Sequence, residues 1–140
     1  MAAKLQGQYE DYISAMNQPS YFFTLVNTGA RCTLHGYPGV QIFDSDGKPV
    51  GTSVERGGGF ATGDPGPRDV TLSTGAKAWF AIASTAICNE GTPPAAVSSA
   101  LLISPPNRPG QIKVAAQMSY CPQGRVSVSA LAPGRDNFRL

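Results

Sequence analysis

Apolar residues in this chain occur mainly in short runs that end at Gly, Pro, Asn or Asp. Runs of this kind are typical of β-strands, and segments with a helical period are scarce. The clearest run is Tyr21–Val26, which stops at Asn27-Thr28-Gly29. Residues 126–131 alternate apolar and polar positions, which predicts a strand with one face in solvent. Several short strands with turns between them predict a β-sandwich of about eight strands.

Turn residues predict how some of these strands connect. Val40–Phe43 runs into Asp44-Ser45-Asp46-Gly47, and the chain returns at Pro49-Val50, which predicts a hairpin. Residues 56–68 contain a glycine triplet and several prolines, which predicts a surface loop. Further strands are expected over residues 31–35, 70–72, 76–83, 101–103 and 112–116.

The pattern over residues 5–17 fits two structures. One face of a helix would carry Leu5, Tyr9, Tyr12, Ile13 and Met16, and an extended strand accounts for the same positions. We favour a strand slightly, and a helix remains the alternative.

Composition supports short strands joined by many turns. The chain has 140 residues, with 16 Gly, 12 Pro and only 14% charged residues, against about 25% in typical soluble domains. This length suits one domain with one core. We predict a single domain over residues 1–140 with its core at about residues 20–132.

The charge pattern and hydropathy argue against two classes of partner. The net charge of +2 comes from scattered residues, without a basic run that could follow a phosphate backbone, so nucleic-acid binding is not expected. No apolar stretch approaches the roughly 20 residues of a membrane-spanning helix. The start of the chain also lacks the apolar run of a signal peptide. The chain is therefore either cytoplasmic or a mature form without its signal segment.

Catalysis is not expected from this sequence. His35 is the single histidine, so a Ser-His-Asp or Cys-His arrangement would have to use it, and the G-x-S-x-G motif is absent. A hydrolase would require Asp64, Asp69 or Glu90 to converge with His35. The glycine triplet lacks the context of a phosphate-binding loop, and no cofactor is expected. A local structural role at a strand end is the simpler interpretation of His35.

A metal site is a further alternative. Cys32 and His35 have a spacing that can bind a metal, and Met16 and Met118 could add sulfur ligands for copper(I). Zinc would need two further ligands that the sequence does not offer at a matching spacing. Core packing is the more common role of scattered methionines.

The cysteines carry the most informative chemistry. A bridge between Cys88 and Cys121 would stabilise the fold by roughly 3 to 4 kcal/mol on the chain-entropy estimate, and it would indicate an oxidising compartment. Two reduced buried thiols are the alternative, because spacing does not fix connectivity. Cys32 is then the odd cysteine, and its alternation with Leu34 predicts that both side chains point inward.

A motif block gives a family resemblance. The stretch 27–40 contains Asn27-Thr28-Gly29 and then C-x-L-x-G-Y-P-G-V from Cys32 to Val40. It resembles a family of actinobacterial proteins known as a domain of unknown function. Further matches follow at Asp46-Gly47-Lys48-Pro49, Leu72-x-x-Gly75-x-x-Ala78, Cys88 and Cys121, so that the similarity spans roughly residues 20–132.

The resemblance implies a secreted or lipid-anchored cell-envelope protein with an immunoglobulin-like antiparallel β-sandwich of about seven to nine strands. It implies no established activity. Family members often carry a further cysteine on the first strand that pairs with the one matching Cys32, and here no cysteine precedes Cys32. A lipid anchor upstream of residue 1 is compatible with this resemblance.

We therefore expect a non-enzymatic binding or scaffolding module whose partner is a protein or another cell-envelope component. Function concentrates on loops that a rigid scaffold holds. The candidate contact surface consists of His35, Tyr37, Arg56, Phe60 and Arg68. Tyr37 lies in Gly-Tyr-Pro-Gly and is either a contact residue or a packing anchor of that turn.

Overall fold

The computed structural model describes residues 4–13, 19–57, 64–84, 96–121 and 124–138. Within these ranges the chain forms thirteen strands and one short 3₁₀ helix. The strands are β1 (Leu5–Ile13), β2 (Ser20–Asn27), β3 (Cys32–His35), β4 (Gly39–Phe43), β5 (Pro49–Val50), β6 (Ser53–Arg56), β7 (Asp69–Leu72), β8 (Lys77–Ala83), β9 (Ala96–Val97), β10 (Ala100–Ser104), β11 (Ile112–Ala115), β12 (Ser119–Tyr120) and β13 (Arg125–Val128); the 3₁₀ helix is Arg135–Phe138.

The strands form two main sheets and two small ones. The five-stranded sheet has the order β1-β2-β8-β13-β6, and the four-stranded sheet has the order β11-β10-β4-β5. The small sheets are β3-β7 and β9-β12. All pairings are antiparallel except β6 with β13. The predicted all-β sandwich is confirmed.

One hydrophobic core lies between these sheets. Phe23, Leu25 and Phe80 of the five-stranded sheet belong to the same buried cluster as Ile42 and Leu101 of the four-stranded sheet. The β3-β7 pair contributes its buried positions to this cluster as well. Alternate residues of β2 and of β8 belong to this core, as the pleat requires.

A second, smaller cluster covers the opposite face of the five-stranded sheet, which we call the outer face. It contains Phe22, Ala81, Ala132 and Phe138, and Trp79 packs against it. β2 is consequently buried on both faces, which explains why its sequence is a nearly continuous apolar run.

Several predicted elements are confirmed. The hairpin joins β4 to β5, and Asp44 Oδ1 accepts hydrogen bonds from the backbone N–H groups of Asp46 and Lys48 in its turn, each at 2.9 Å. Gly47 completes that turn with a φ of 80°. For residues 5–17, the favoured strand is confirmed as β1 over residues 5–13, and residues 14–17 lie outside the described residues.

Other boundaries differ from the prediction. Arg56 was expected in a loop but ends β6, since this strand pairs in parallel with β13. The last predicted strand ends at Val128 rather than Leu131, and Ser129, Ala130 and Leu131 are all buried. Pairing with a distant strand decides both cases, and local composition carries no signal of it. In the described part of the chain, no helix has the length and apolar character needed to cross a membrane.

Candidate contact surface at the ends of β3, β6 and β13

The β3-β7 pair determines which side chains reach the surface beside His35. Cys32 and Leu34 are buried, whereas Thr33 and His35 point to solvent. The predicted inward alternation of Cys32 and Leu34 is confirmed. Residues three apart on a strand point to opposite faces, so Cys32 and His35 cannot share a metal.

The methionines that were proposed as copper(I) ligands add no support for a metal site at His35. Met118 is fully buried in the core, away from the solvent-facing His35, and Met16 lies outside the described residues. Among the described residues, no group of three or more His, Cys, Asp or Glu side chains is arranged to hold a metal ion. The metal-handling hypothesis was wrong to expect that Cys32 and His35 bind the same metal ion.

His35 pairs with Asp69 across the strands. The two residues are register partners of β3 and β7, and His35 Nδ1 lies 2.8 Å from Asp69 Oδ1. Both side chains are open to solvent, with relative exposures of 54% and 75%. Of the carboxylates that the hydrolase alternative required, Asp69 therefore does meet His35, and Glu90 lies outside the described residues. The pair lies on an open strand surface, where solvent screens the interaction of exposed charges.

Asn107 extends the hydrogen bonding of β3. The His35 backbone N–H donates to Asn107 Oδ1 at 3.0 Å, and Asn107 Nδ2 donates to the Thr33 carbonyl at 3.5 Å. The amide side chain thus pairs with the edge of β3 much as a neighbouring strand would. Asn107 has a positive φ of 50°, which asparagine tolerates better than most residues. The sequence analysis missed this role, although Pro105-Pro106-Asn107 is a turn signal.

Tyr37 is half-buried and is held by two neighbours. Its hydroxyl donates to Asp64 Oδ2 at 2.9 Å, and the Arg56 guanidinium carbon lies 5.5 Å from the centre of its ring. Burial raises the pKa of Tyr37 above its usual value, and the hydrogen bond to the Asp64 carboxylate acts in the same direction. This geometry matches the packing-anchor interpretation of Tyr37.

Asp64 joins three segments of the chain. Besides the Tyr37 hydroxyl, its carboxylate accepts hydrogen bonds from the backbone N–H groups of Ala130 at 3.1 Å and Gly66 at 3.2 Å. Gly57, with a φ of 81°, leaves the space for this, because a Cβ there would collide with the Asp64 carboxylate. The Gly57 backbone N–H in turn donates to the Val128 carbonyl at 3.0 Å. We call Tyr37, Asp64 and Gly57 the Asp64 joint.

The structure exposes part of the predicted contact surface. His35, Arg56 and Arg68 are exposed, and Arg56 stacks on Tyr37. Arg68 Nη2 donates to the Pro65 carbonyl at 3.4 Å, one residue beyond Asp64. Phe60 lies outside the described residues. His35, Arg56 and Arg68 are thus open to solvent, and Arg56 lies over the Tyr37 ring of the Asp64 joint.

Two of the three cysteines lie in the described part of the chain. Cys32 is a free, buried thiol, and Cys121 is buried next to β12. Cys88 lies outside the described residues, so its predicted bridge with Cys121 stays a prediction.

The fold places this chain among the all-β sandwich proteins. Within that class, the family described as domain of unknown function DUF4232 matches residues 2–132. The chain belongs to this family. No curated protein and no solved structure was found to match it.

Proposed function

We propose that this protein is a non-enzymatic binding or scaffolding module of the cell envelope, and that its contact surface is formed by His35, Arg56 and Arg68. The observation that carries the proposal is the Asp64 joint, which ties three chain segments together next to the exposed side chains of Arg56 and Arg68. A surface that is rigid before binding loses less conformational entropy in the complex.

Arginine suits such a surface. It is enriched among the interface residues that contribute most to affinity. Arg56 is partly ordered in advance by the Tyr37 ring, so that fewer of its rotamers would be lost on binding. Tyr37 then acts as a positioning residue for Arg56, and the partner is a protein or another envelope component.

The test compares the wild-type chain with the double variant Arg56→Ala/Arg68→Ala. The matched control is Arg125→Ala, because Arg125 is also exposed but begins β13, whereas Arg56 pairs with Val128 where β13 ends. Each immobilised protein is incubated with cell-envelope extract, and its retained partners are quantified by mass spectrometry. We expect the double variant to lose a defined partner by at least about tenfold, equivalent to roughly 1.4 kcal/mol, while the control keeps it. Equal retention by all three proteins would contradict the proposed surface.

The proposed envelope location rests on the cysteines and the family resemblance. A bridge between Cys88 and Cys121 would be stable in an oxidising compartment, and Cys32 is the free thiol among the described cysteines. Intact mass after alkylation, with and without prior reduction, tests the bridge. One shielded thiol plus a bridged pair supports the location, and three reactive thiols in denatured protein from an oxidising host would oppose it.

A hydrolase is the second candidate, because the His35–Asp69 pair has the geometry of a base oriented by a carboxylate. The hydroxyls on the same strand face are those of Thr33 and Thr71, which hydrogen-bond to each other at 3.1 Å. We propose that the pair is structural. The test compares the wild type with His35→Ala in assays with ester, peptide and glycan substrates. We expect no turnover that depends on His35, and turnover by the wild type that is lost in the variant would reverse this assignment.

A further inference from the structure

Residues 133–138, which we call the C-terminal strap, lie over the outer face of the five-stranded sheet. Backbone pairing to the sheet ends just before the strap, where Trp79 and Ala132 exchange hydrogen bonds of 2.7 and 2.9 Å. The family match also ends at residue 132. In the described strap, the backbone hydrogen bond is internal, from Asn137 N–H to the Gly134 carbonyl at 3.2 Å.

Two side chains attach the strap to the sheet. Phe138 is buried against Phe22, with ring centres 5.7 Å apart in an edge-on arrangement. The guanidinium carbon of Arg135 lies 4.6 Å from the centre of the same Phe22 ring, and Arg135 Nη1 lies 2.8 Å from Asp11 Oδ2. Side chains three apart in a 3₁₀ helix lie on the same side, so the helix directs both toward the sheet.

The sheet provides a matching surface. Asp11, Phe22 and Ala81 are register neighbours across β1, β2 and β8, and therefore share the outer face. We call these three residues together with Trp79 the Phe22 site. It offers a carboxylate, the face of an aromatic ring and, beside that ring, a small side chain that leaves room for a second ring. Its rim is open, since Asp11 and Arg135 remain 49% and 41% exposed.

We propose that the Phe22 site is a docking site for a partner protein's peptide segment that presents an arginine and, three residues later, an aromatic ring. The strap is the internal occupant of this site. Its attachment through two side chains, rather than through strand pairing, allows it to leave without breaking the sheet. The specificity of the site follows from the contacts that the strap already makes with Asp11 and Phe22.

The experiment opens the strap in the full chain and offers the same chemistry from outside. The variant is Arg135→Ala/Phe138→Ala, and the probe is a labelled synthetic peptide with the sequence of residues 132–140. Binding is followed by peptide anisotropy and by the emission of Trp79, the single tryptophan, which belongs to the site. The wild-type chain should bind at least about tenfold more weakly than the variant, because its own strap competes at a high effective concentration.

Two matched controls test the chemistry. A peptide with Ala in place of the aromatic residue should lose binding to the opened variant. Adding Asp11→Asn to that variant should weaken the normal peptide up to about fivefold, as expected for a partly exposed ion pair. Adding Lys113→Ala on β11 of the other sheet should leave binding unchanged.

Several outcomes would overturn the proposal. One is a variant that is folded by circular dichroism and shows no binding up to millimolar peptide; another is binding that persists with the Ala peptide. If the double variant does not fold, Arg135→Ala alone is used, and absence of peptide binding to it counts in the same way. A wild-type dimer in sedimentation that is lost in Arg135→Ala would assign the site to the strap of a second copy and would also overturn the proposal.

Discussion

The β2-β8 region and the β3-β7 pair use opposite ways of covering a sheet. β2 is buried on both sides, by the main core and by the cluster around Phe22. β3 and β7 are buried on one side only, and their other face exposes Thr33, His35, Asp69 and Thr71. The difference teaches that a strand's tolerance of change depends on how many of its faces are covered.

Phe22→Ala should give the largest effect on this comparison. It removes the ring that contacts both Phe138 and Arg135, and large-to-small changes of this kind cost about 3 to 5 kcal/mol. Urea unfolding followed by circular dichroism measures the change. The matched control is Leu34→Ala on the buried face of β3, with an expected cost of about 3 kcal/mol. A cost below about 1 kcal/mol for Phe22→Ala alone would show that the second cover of β2 is loose.

Tyr37→Phe should give the next largest effect. The change keeps the ring under Arg56 but removes the hydroxyl that donates to Asp64. A hydrogen bond to a charged group contributes about 1.5 kcal/mol or more, so we expect a loss near that value in the free energy of unfolding. Tyr12→Phe is the control, because Tyr12 is half exposed, and its ring stacking on Tyr21 survives the change. Equal losses for the two variants would argue against the Asp64 joint.

Glu10→Gln tests how the stability that the outer face contributes depends on pH. Glu10 Oε2 accepts from Thr24 Oγ1 at 2.6 Å and lies 3.1 Å from Lys77 Nζ. The Thr24 hydrogen bond, aided by Lys77, holds the pKa of Glu10 below its usual value despite some burial. A lowered pKa stabilises the fold above the ordinary pKa of the unfolded chain, and this stability is lost as the pH falls through the folded-state pKa.

The variant should therefore lose about 1 kcal/mol at neutral pH and match the wild type in strong acid. Urea unfolding at intervals from about pH 2.5 to about pH 7, a range that spans the usual pKa of glutamate, measures this difference in the free energy of unfolding. Glu55→Gln on the exposed strand β6 is the control and should show no such convergence. A constant difference at every pH would show that packing, rather than charge, explains the loss.

Much of the fold follows from local sequence. The Tyr21–Val26 run, the Asp44–Gly47 turn and the alternation of Cys32 with Leu34 each predict the structure correctly, because neighbouring residues determine them. The continuous run of β2 also indicates burial on both sides. The element that covers its outer face is not apparent, since Arg135 and Phe138 meet Phe22 only after the chain has folded back.

The candidate surface was predictable only in part. His35, Arg56 and Arg68 could be named from the sequence as exposed residues near turns. The residues that hold this surface in place could not be predicted, because Asp64 hydrogen-bonds to Ala130 across 66 positions and Asn107 to His35 across 72. Such contacts depend on tertiary folding, which composition and periodicity do not encode. Pairing of β6 with β13 was missed for the same reason.

The smallest effect is expected on the uncovered face of the β3-β7 pair. Thr33 and Thr71 face each other across the strands, with their hydroxyl oxygens 3.1 Å apart in solvent. Each change to alanine should shift the free energy of unfolding by less than about 0.5 kcal/mol, and a double-mutant cycle should give a coupling of about 0.2 to 0.5 kcal/mol. A coupling above about 1 kcal/mol would mean that this face is shielded from solvent. It would also weaken the contrast with β2, because a covered polar face would then contribute to stability much as a covered apolar one does.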